Sequence, residues 1–164
     1  LPLHRLAAQA TTPPEHPFAP RPALSLSAGV SQFDLSGTGT MAVVAVRGEV
    51  PLARVLLLEG GLAMARPQED FGVHSTLLMP EGQLQLQIPR RVAPYLGVGA
   101  GLATTFRNAA DGGSESHLTL SGAAGVRVAL NRAFGLRAEL RVREFGLRFT
   151  GTTADWTLGA AWRF

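Results

Sequence analysis

The sequence predicts an all-β chain: eight antiparallel strands closed into an up-and-down barrel, behind an extended N-terminal arm. Two patterns carry this. From residue 23 to the end, apolar residues alternate with small or polar ones at period two, which places them on opposite faces of strands. The gaps after strands two, four and six are short, those after three and five longer, and those after one and seven short but rich in Gly and Thr, as in a meander of hairpins. At 164 residues the chain is most simply one domain.

The arm comes first. Residues 11–22 carry Pro13, Pro14, Pro17, Pro20 and Pro22 and read as an extended linker without a core of its own. Ala8-Gln9-Ala10 resembles the small-x-small end of a secretory signal. Residues 1–10 therefore read either as a remnant of one or as part of a retained arm, since His4 and Arg5 interrupt any apolar core. Residues 1–22 are expected to be arm and 23–164 barrel.

The first strand, about Ala23–Phe33, sets Leu24, Leu26, Ala28 and Val30 against Ser25, Ser27, Gly29 and Ser31. In the second, about Thr40–Val50, Ala42, Val44, Val46 and Val50 oppose Arg47 and Glu49. The third, about Ala53–Ala65, sets Leu56, Leu58, Leu62 and Met64 against Val55, Leu57, Glu59 and Ala63. The fourth, about Gly82–Ile88, alternates Leu84, Leu86 and Ile88 with Gln83, Gln85 and Gln87.

The fifth, about Ala93–Phe106, carries Leu96, Val98, Ala100 and Leu102 opposite Tyr95, Gly97, Gly99 and Gly101. The sixth, about Ser116–Leu130, has Leu118, Leu120, Ala124, Val126 and Val128 opposite His117, Thr119, Ser121 and Arg127. In the seventh, about Phe134–Phe149, Leu136, Ala138, Leu140 and Val142 oppose Arg137, Glu139, Arg141 and Arg143. Its parity is expected to slip near Arg143-Glu144, as a bulge would make it, leaving Phe145, Leu147 and Phe149 as the apolar set. The eighth alternates Trp156, Leu158, Ala160, Trp162 and Phe164 with Asp155, Thr157, Gly159, Ala161 and Arg163. The longer loops are expected at residues 66–81 and 107–115.

Which face meets which solvent decides the class. No apolar run approaches the ~18 residues of a membrane helix, so the form that could span lipid is a closed barrel, which leaves no backbone group unpaired. Arg47, Glu49, Glu59, Gln85, Gln87, Arg127, Arg137, Glu139 and Arg141 all fall on one face. The opposite face is nearly free of charge along the middle of every strand. That apolar set is too large for the inside of a small barrel, whereas a lipid-facing belt accommodates it. Trp162, Phe164 and Phe134 fall near turn ends, and Phe106, Trp156 and Phe145 or Phe149 near loop ends, as two interfacial girdles would require. The expectation is a transmembrane barrel; a soluble lipocalin-like barrel with reversed faces is the alternative.

Pro94-Tyr95-Leu96-Gly97-Val98-Gly99-Ala100-Gly101 and the Trp162-Arg163-Phe164 ending make residues 23–164 resemble the small eight-stranded outer-membrane barrels of the OmpA/OmpX type. The resemblance implies a bacterial outer-membrane location and contact with membrane lipid, including the lipopolysaccharide leaflet. It also implies recognition of Trp162 and Phe164 as an assembly signal by the barrel-assembly machinery.

An eight-stranded barrel is just wide enough for side chains to fill. Arg47, Glu49, Glu59, Arg127, Arg137, Glu139 and Arg141 are therefore expected to form a paired network plugging the lumen, with Gly97, Gly99 and Gly101 leaving room for the long Arg chains. An ion path through the same groups is the alternative.

Other chemistries find little support. Net charge is +3, entirely from Arg over carboxylates, but the Arg residues are scattered instead of forming the patch of a nucleic-acid binder. There is no Cys, and His4, His16, His74 and His117 have no ligand spacing, so no metal or cofactor is expected. Candidate hydrolase groups are His74-Ser75 with Glu69 or Asp70, and His117 with Ser114 or Ser116. Neither set reproduces the His-x-Ser of the deacylase barrels. The expected function is non-enzymatic: a structural or interaction protein presenting its outer loops or residues 1–22 to a protein partner, with a narrow pore as the alternative.

Overall fold

The computed structural model describes residues 18–33, 39–66, 75–107, 113–146 and 151–164. They form β1 (Ala23–Phe33), β2 (Gly39–Pro51), β3 (Leu56–Arg66), β4 (Ser75–Gln87), β5 (Val92–Arg107), β6 (Ser114–Ala129), β7 (Phe134–Phe145) and β8 (Gly151–Arg163). Each strand pairs antiparallel with its sequence neighbours, and β1 pairs with β8 to close the barrel. No helix among the described residues is long and apolar enough to cross a membrane.

Registers explain the shape. From Ala23 the pairing leads through Glu49, Glu59, Gln83, Gly99, Ser121, Arg143 and Thr153, and returns to β1 at Phe33. One circuit thus advances the chain from residue 23 to residue 33. For eight strands, a stagger of that size tilts the strands by about 35–45° and narrows the interior to what side chains can fill. Because the stagger is even, a residue facing inward meets only inward-facing partners on the circuit.

The connections at one end are tight. Leu52 and Ala53 donate to the Leu56 carbonyl at 2.9 and 3.0 Å. Asn131 Oδ1 accepts from the amides of Ala133 and Phe134 at 2.9 and 2.7 Å, a side-chain turn that delivers β7. At the other end Gly146 (φ 73°) leaves β7 in the left-handed region, with its amide on the Leu118 carbonyl at 2.8 Å.

Three sequence expectations require correction. β4 begins at Ser75, not Gly82, so residues 75–81 of the expected loop at 66–81 are strand. Its first turn escapes pattern-reading because Leu77 and Met79 point inward while Leu78 faces out, which erases the alternation. β7 shows no bulge: Ser121 pairs with Arg143, Leu120 with Glu144 and Thr119 with Phe145 in one unbroken register. Phe145 therefore lies on the inner face, packed against an apolar cluster and 6.3 Å from the Phe33 ring. Leu147, Phe149, His74, Glu69, Asp70 and the arm residues 1–17 lie outside the described residues.

The outer surface is apolar. Leu158 is 72% exposed and Val98 68%, with Leu26, Leu86, Leu96 and Trp156 similarly open. At the turn end Phe134 stacks on Trp162 (6.1 Å) and Trp162 on Phe164 (5.4 Å), forming part of a girdle.

Candidate functional site: the barrel lumen

Alternation sends every second residue inward, and the inward positions hold ten buried charged side chains. Five are guanidinium groups (Arg47, Arg127, Arg137, Arg141, Arg143) and five are carboxylates (Glu49, Glu59, Glu81, Glu139, Asp155). Inner charges among the described residues therefore balance. Such burial is tolerable only when each charge is paired and its remaining donors are used.

The pairing runs across the lumen, not merely along its wall. Arg137 on β7 reaches Glu49 on β2 (Nη1–Oε1, 2.7 Å), Glu59 on β3 (Nη1–Oε2, 2.5 Å) and its neighbour Glu139 (Nη2–Oε2, 2.5 Å). Arg141 spans to Glu59 and Glu81 at 2.7 Å each, and holds Glu139 at 3.0 Å. Arg47 donates to Ser27 Oγ at 2.8 Å and lies 3.2 Å from Glu139. Near the turns, Arg127 donates to Glu49 at 2.9 Å and to Gln85 and Gln87. Toward the loops, Arg143 holds Glu81 at 2.7 Å and pairs with Asp155.

Tyr95 stands at the centre of the lower half. Its hydroxyl donates to Glu139 Oε2 at 2.6 Å and accepts from Arg137 Nε at 2.9 Å. Its ring carries the Arg127 guanidinium 4.1 Å from the centroid. Gly125 makes this possible, because a Cβ there would sit 2.5 Å from the Tyr95 ring.

All seven of Arg47, Glu49, Glu59, Arg127, Arg137, Glu139 and Arg141 are buried in this assembly. Sequence reasoning left out Glu81, Arg143, Asp155, Tyr95 and the three Gln residues as partners. Glu81 was missed with the start of β4. Asp155 and Arg143 share parity with the network and could have been added on that ground. The inner glycines also differ in role: Gly97 clears space for Gln83 and Gln85, and Gly99 and Gly101 for Glu81, while Gly61 lies beside the Arg47 side chain and Gly135 beside that of Arg163.

Above the charges the lumen changes character. Met41, Val43, Ala45, Ala63, Ala65, Leu77, Met79 and Ala103 form one buried apolar cluster on β2–β5, with Phe145 against it. The hydrolase candidates that fall among the described residues gather no active site. His117 Nε2 meets Glu115 at 3.0 Å on the exposed rim, Ser116 bonds Thr104 at 2.9 Å, and Ser75 is a buried residue of β4. No group of metal-ligating side chains occurs among the described residues.

The architecture is shared with known proteins. The structure is similar to neisserial surface protein A: TM-score 0.77 at 14% identity, covering 89% of this chain and 99% of that one. It is also similar to Ail, the attachment invasion locus protein of Yersinia pestis (TM-score 0.65, 16% identity, 88% and 98% covered). A third likeness is to the N-terminal β-barrel domain of Pseudomonas aeruginosa OprF (TM-score 0.60, 16% identity, 87% and 97% covered). No curated protein matches the sequence. A family model described as outer membrane protein beta-barrel domain matches residues 4–164. With a closed eight-stranded barrel, an apolar outer belt and a polar interior, the chain belongs to that family and is a bacterial outer-membrane β-barrel.

Proposed function

We propose that this barrel is a plugged, non-enzymatic structural and interaction protein, displaying its loops or its N-terminal arm to partners. The carrying observation is the filled lumen: five guanidinium groups and five carboxylates cross-link the walls, and an apolar cluster lies above them. A water-filled path would have to break several charge pairs at once, each stabilised by low local dielectric. In planar bilayers the purified protein is expected to give no stepwise conductance; discrete openings would instead establish a narrow pore.

The likeness to Ail, whose name denotes attachment and which has also been solved with the heparin analogue sucrose octasulfate, is in keeping with interaction through the loops. It is a likeness of fold, and function lives in the site. The same fold carries an outer membrane enzyme, PagL (TM-score 0.52, 15% identity). Against an enzymatic reading here, His117 lies beside Glu115 on the rim, and the hydroxyl of neighbouring Ser116 is engaged by Thr104.

We further propose that Trp162 and Phe164 are the assembly signal read by the barrel-assembly machinery. Both are exposed on the outer face, and the Phe164 amide is tied to the Pro22 carbonyl at 3.0 Å, so the ring is presented on an ordered backbone. F164A is expected to lower the membrane-inserted fraction in cells severalfold while the protein still refolds in detergent. Equal insertion would contradict this role.

A further inference from the structure

The turn end of the barrel opens into a cavity of about 30 Å³ lined by Arg21, Arg90, Arg127 and Arg163, with Glu49 as its one carboxylate. We propose that this mouth is a binding site for a phosphate group. This goes beyond the plugged-scaffold reading and does not depend on whether the lumen conducts.

Charge gives the first argument. Glu49 is already held by Arg127 at 2.9 Å and Arg137 at 2.7 Å, within the balanced network. Arg90 and Arg163 stand outside that balance. Arg163, half-buried, lies in electrostatic range of Arg127 and Arg21, which oppose its charge, and of Glu49, which favours it but is already shared with Arg127 and Arg137. The turns around the mouth, residues 52–55, 88–91 and 130–133, add Arg54, Arg91 and Arg132 and contain no Asp or Glu. A cluster of like charges is stabilised by an anion, and planar guanidinium forks suit the tetrahedral oxygens of phosphate.

Geometry gives the second. Arg127 is 5% exposed and directs Nη1 and Nη2 to Gln87, Gln85 and Glu49, yet its Nε has no acceptor. A buried donor without an acceptor is costly, and this one belongs to a residue lining the cavity. Gly135 lets Arg163 lie close, since a Cβ there would come 2.7 Å from Arg163 Nη2. The cavity admits the oxygen edge of one anion, leaving the remainder at the open rim where Arg90 is exposed. Residues Phe18, Ala19, Pro20 and Arg21 form one side, so the last residues of the arm help build the site.

With short turns facing the periplasm, the phosphate has two sources: an anionic phospholipid headgroup of the inner leaflet, or a free phosphate ester of the periplasm. The test uses the barrel with ¹⁵N-labelled Arg, folded in a maltoside detergent and titrated with inorganic phosphate against chloride at equal ionic strength. Saturable shifts of the Arg127 and Arg163 Nε–H resonances are expected with phosphate alone. R90Q/R163Q should weaken binding, now read at the Arg127 Nε–H alone, about tenfold while keeping a heat-modifiable folded band on gels. Should the double variant not fold, R90Q alone, at an exposed turn position, should weaken binding at least threefold. Nanodiscs of phosphatidylglycerol against phosphatidylcholine separate the sources: the same shifts with phosphatidylglycerol alone assign a headgroup, and a response only to added phosphate assigns a free ester. Shifts that fail to saturate, or that persist unchanged in the folded variant, overturn the proposal.

Discussion

Single residues in this protein act through how many partners they satisfy. Glu59 lies within ion-pair distance of Arg47, Arg127, Arg137 and Arg141, so E59A would leave four guanidinium groups short of a counter-charge at once. Removing one partner of a buried network costs about 3–5 kcal/mol. Urea unfolding of E59A in lipid vesicles should show a loss of that order, and E144A, at the loop-end rim, a loss below about 1 kcal/mol. Comparable losses would mean the lumen charges are far better solvated than their burial indicates. Much of this site was legible in the sequence, because Arg47, Glu49, Glu59, Arg127, Arg137, Glu139 and Arg141 all sit opposite an uncharged face. Tyr95 as a hub was not legible. Its role depends on Gly125 of the neighbouring strand, a coincidence of register that no local pattern contains.

Among the elements, boundaries were readable wherever one face is polar and lost where both are apolar. Gln83, Gln85 and Gln87 mark the second half of β4 plainly. Thr76-Leu77-Leu78-Met79 hides the first half, because its inner residues join the apolar cluster and leave no alternation to see. The same cluster accounts for Phe145, which looked like a shift in strand parity and is instead an apolar residue on the inner face. β4 has a second peculiarity. Pro80 lacks an amide hydrogen, and the ladder to β5 skips Met79 and Pro80 between the Leu78–Thr104 and Glu81–Gly101 pairs. Hydrogen exchange should therefore be faster at Leu102 and Ala103 than at Val98 and Ala100, within the same strand. Uniform protection along β5 would contradict a weak seam. On the outer face, Leu158 lies at the middle of β8 opposite Ala28 and Ala138. L158R should cost about 2–4 kcal/mol, read from refolding equilibria in lipid vesicles.

At the scale of the molecule, fold class followed from alternation alone, whereas closure and stagger needed the pairings. Closing eight strands in sequence order places β7 across from β2, β3 and β4, and the even ten-residue advance sets the heights at which Arg137 and Arg141 meet Glu49, Glu59 and Glu81 across the lumen. If these contacts seal it, the triple variant E59A/R137A/R141A should leak small ions in planar bilayers where the parent does not. A silent triple variant would assign the seal to the apolar cluster above. Those side chains also behave as the spokes of a wheel. They tie opposite arcs of the rim together, so squeezing the cross-section into an oval would stretch some spokes and compress others. A barrel braced in this way resists lateral pressure from the bilayer and transmits little bending from one end to the other. Its two ends are then mechanically independent, free to diversify as separate surfaces on a common rigid shaft.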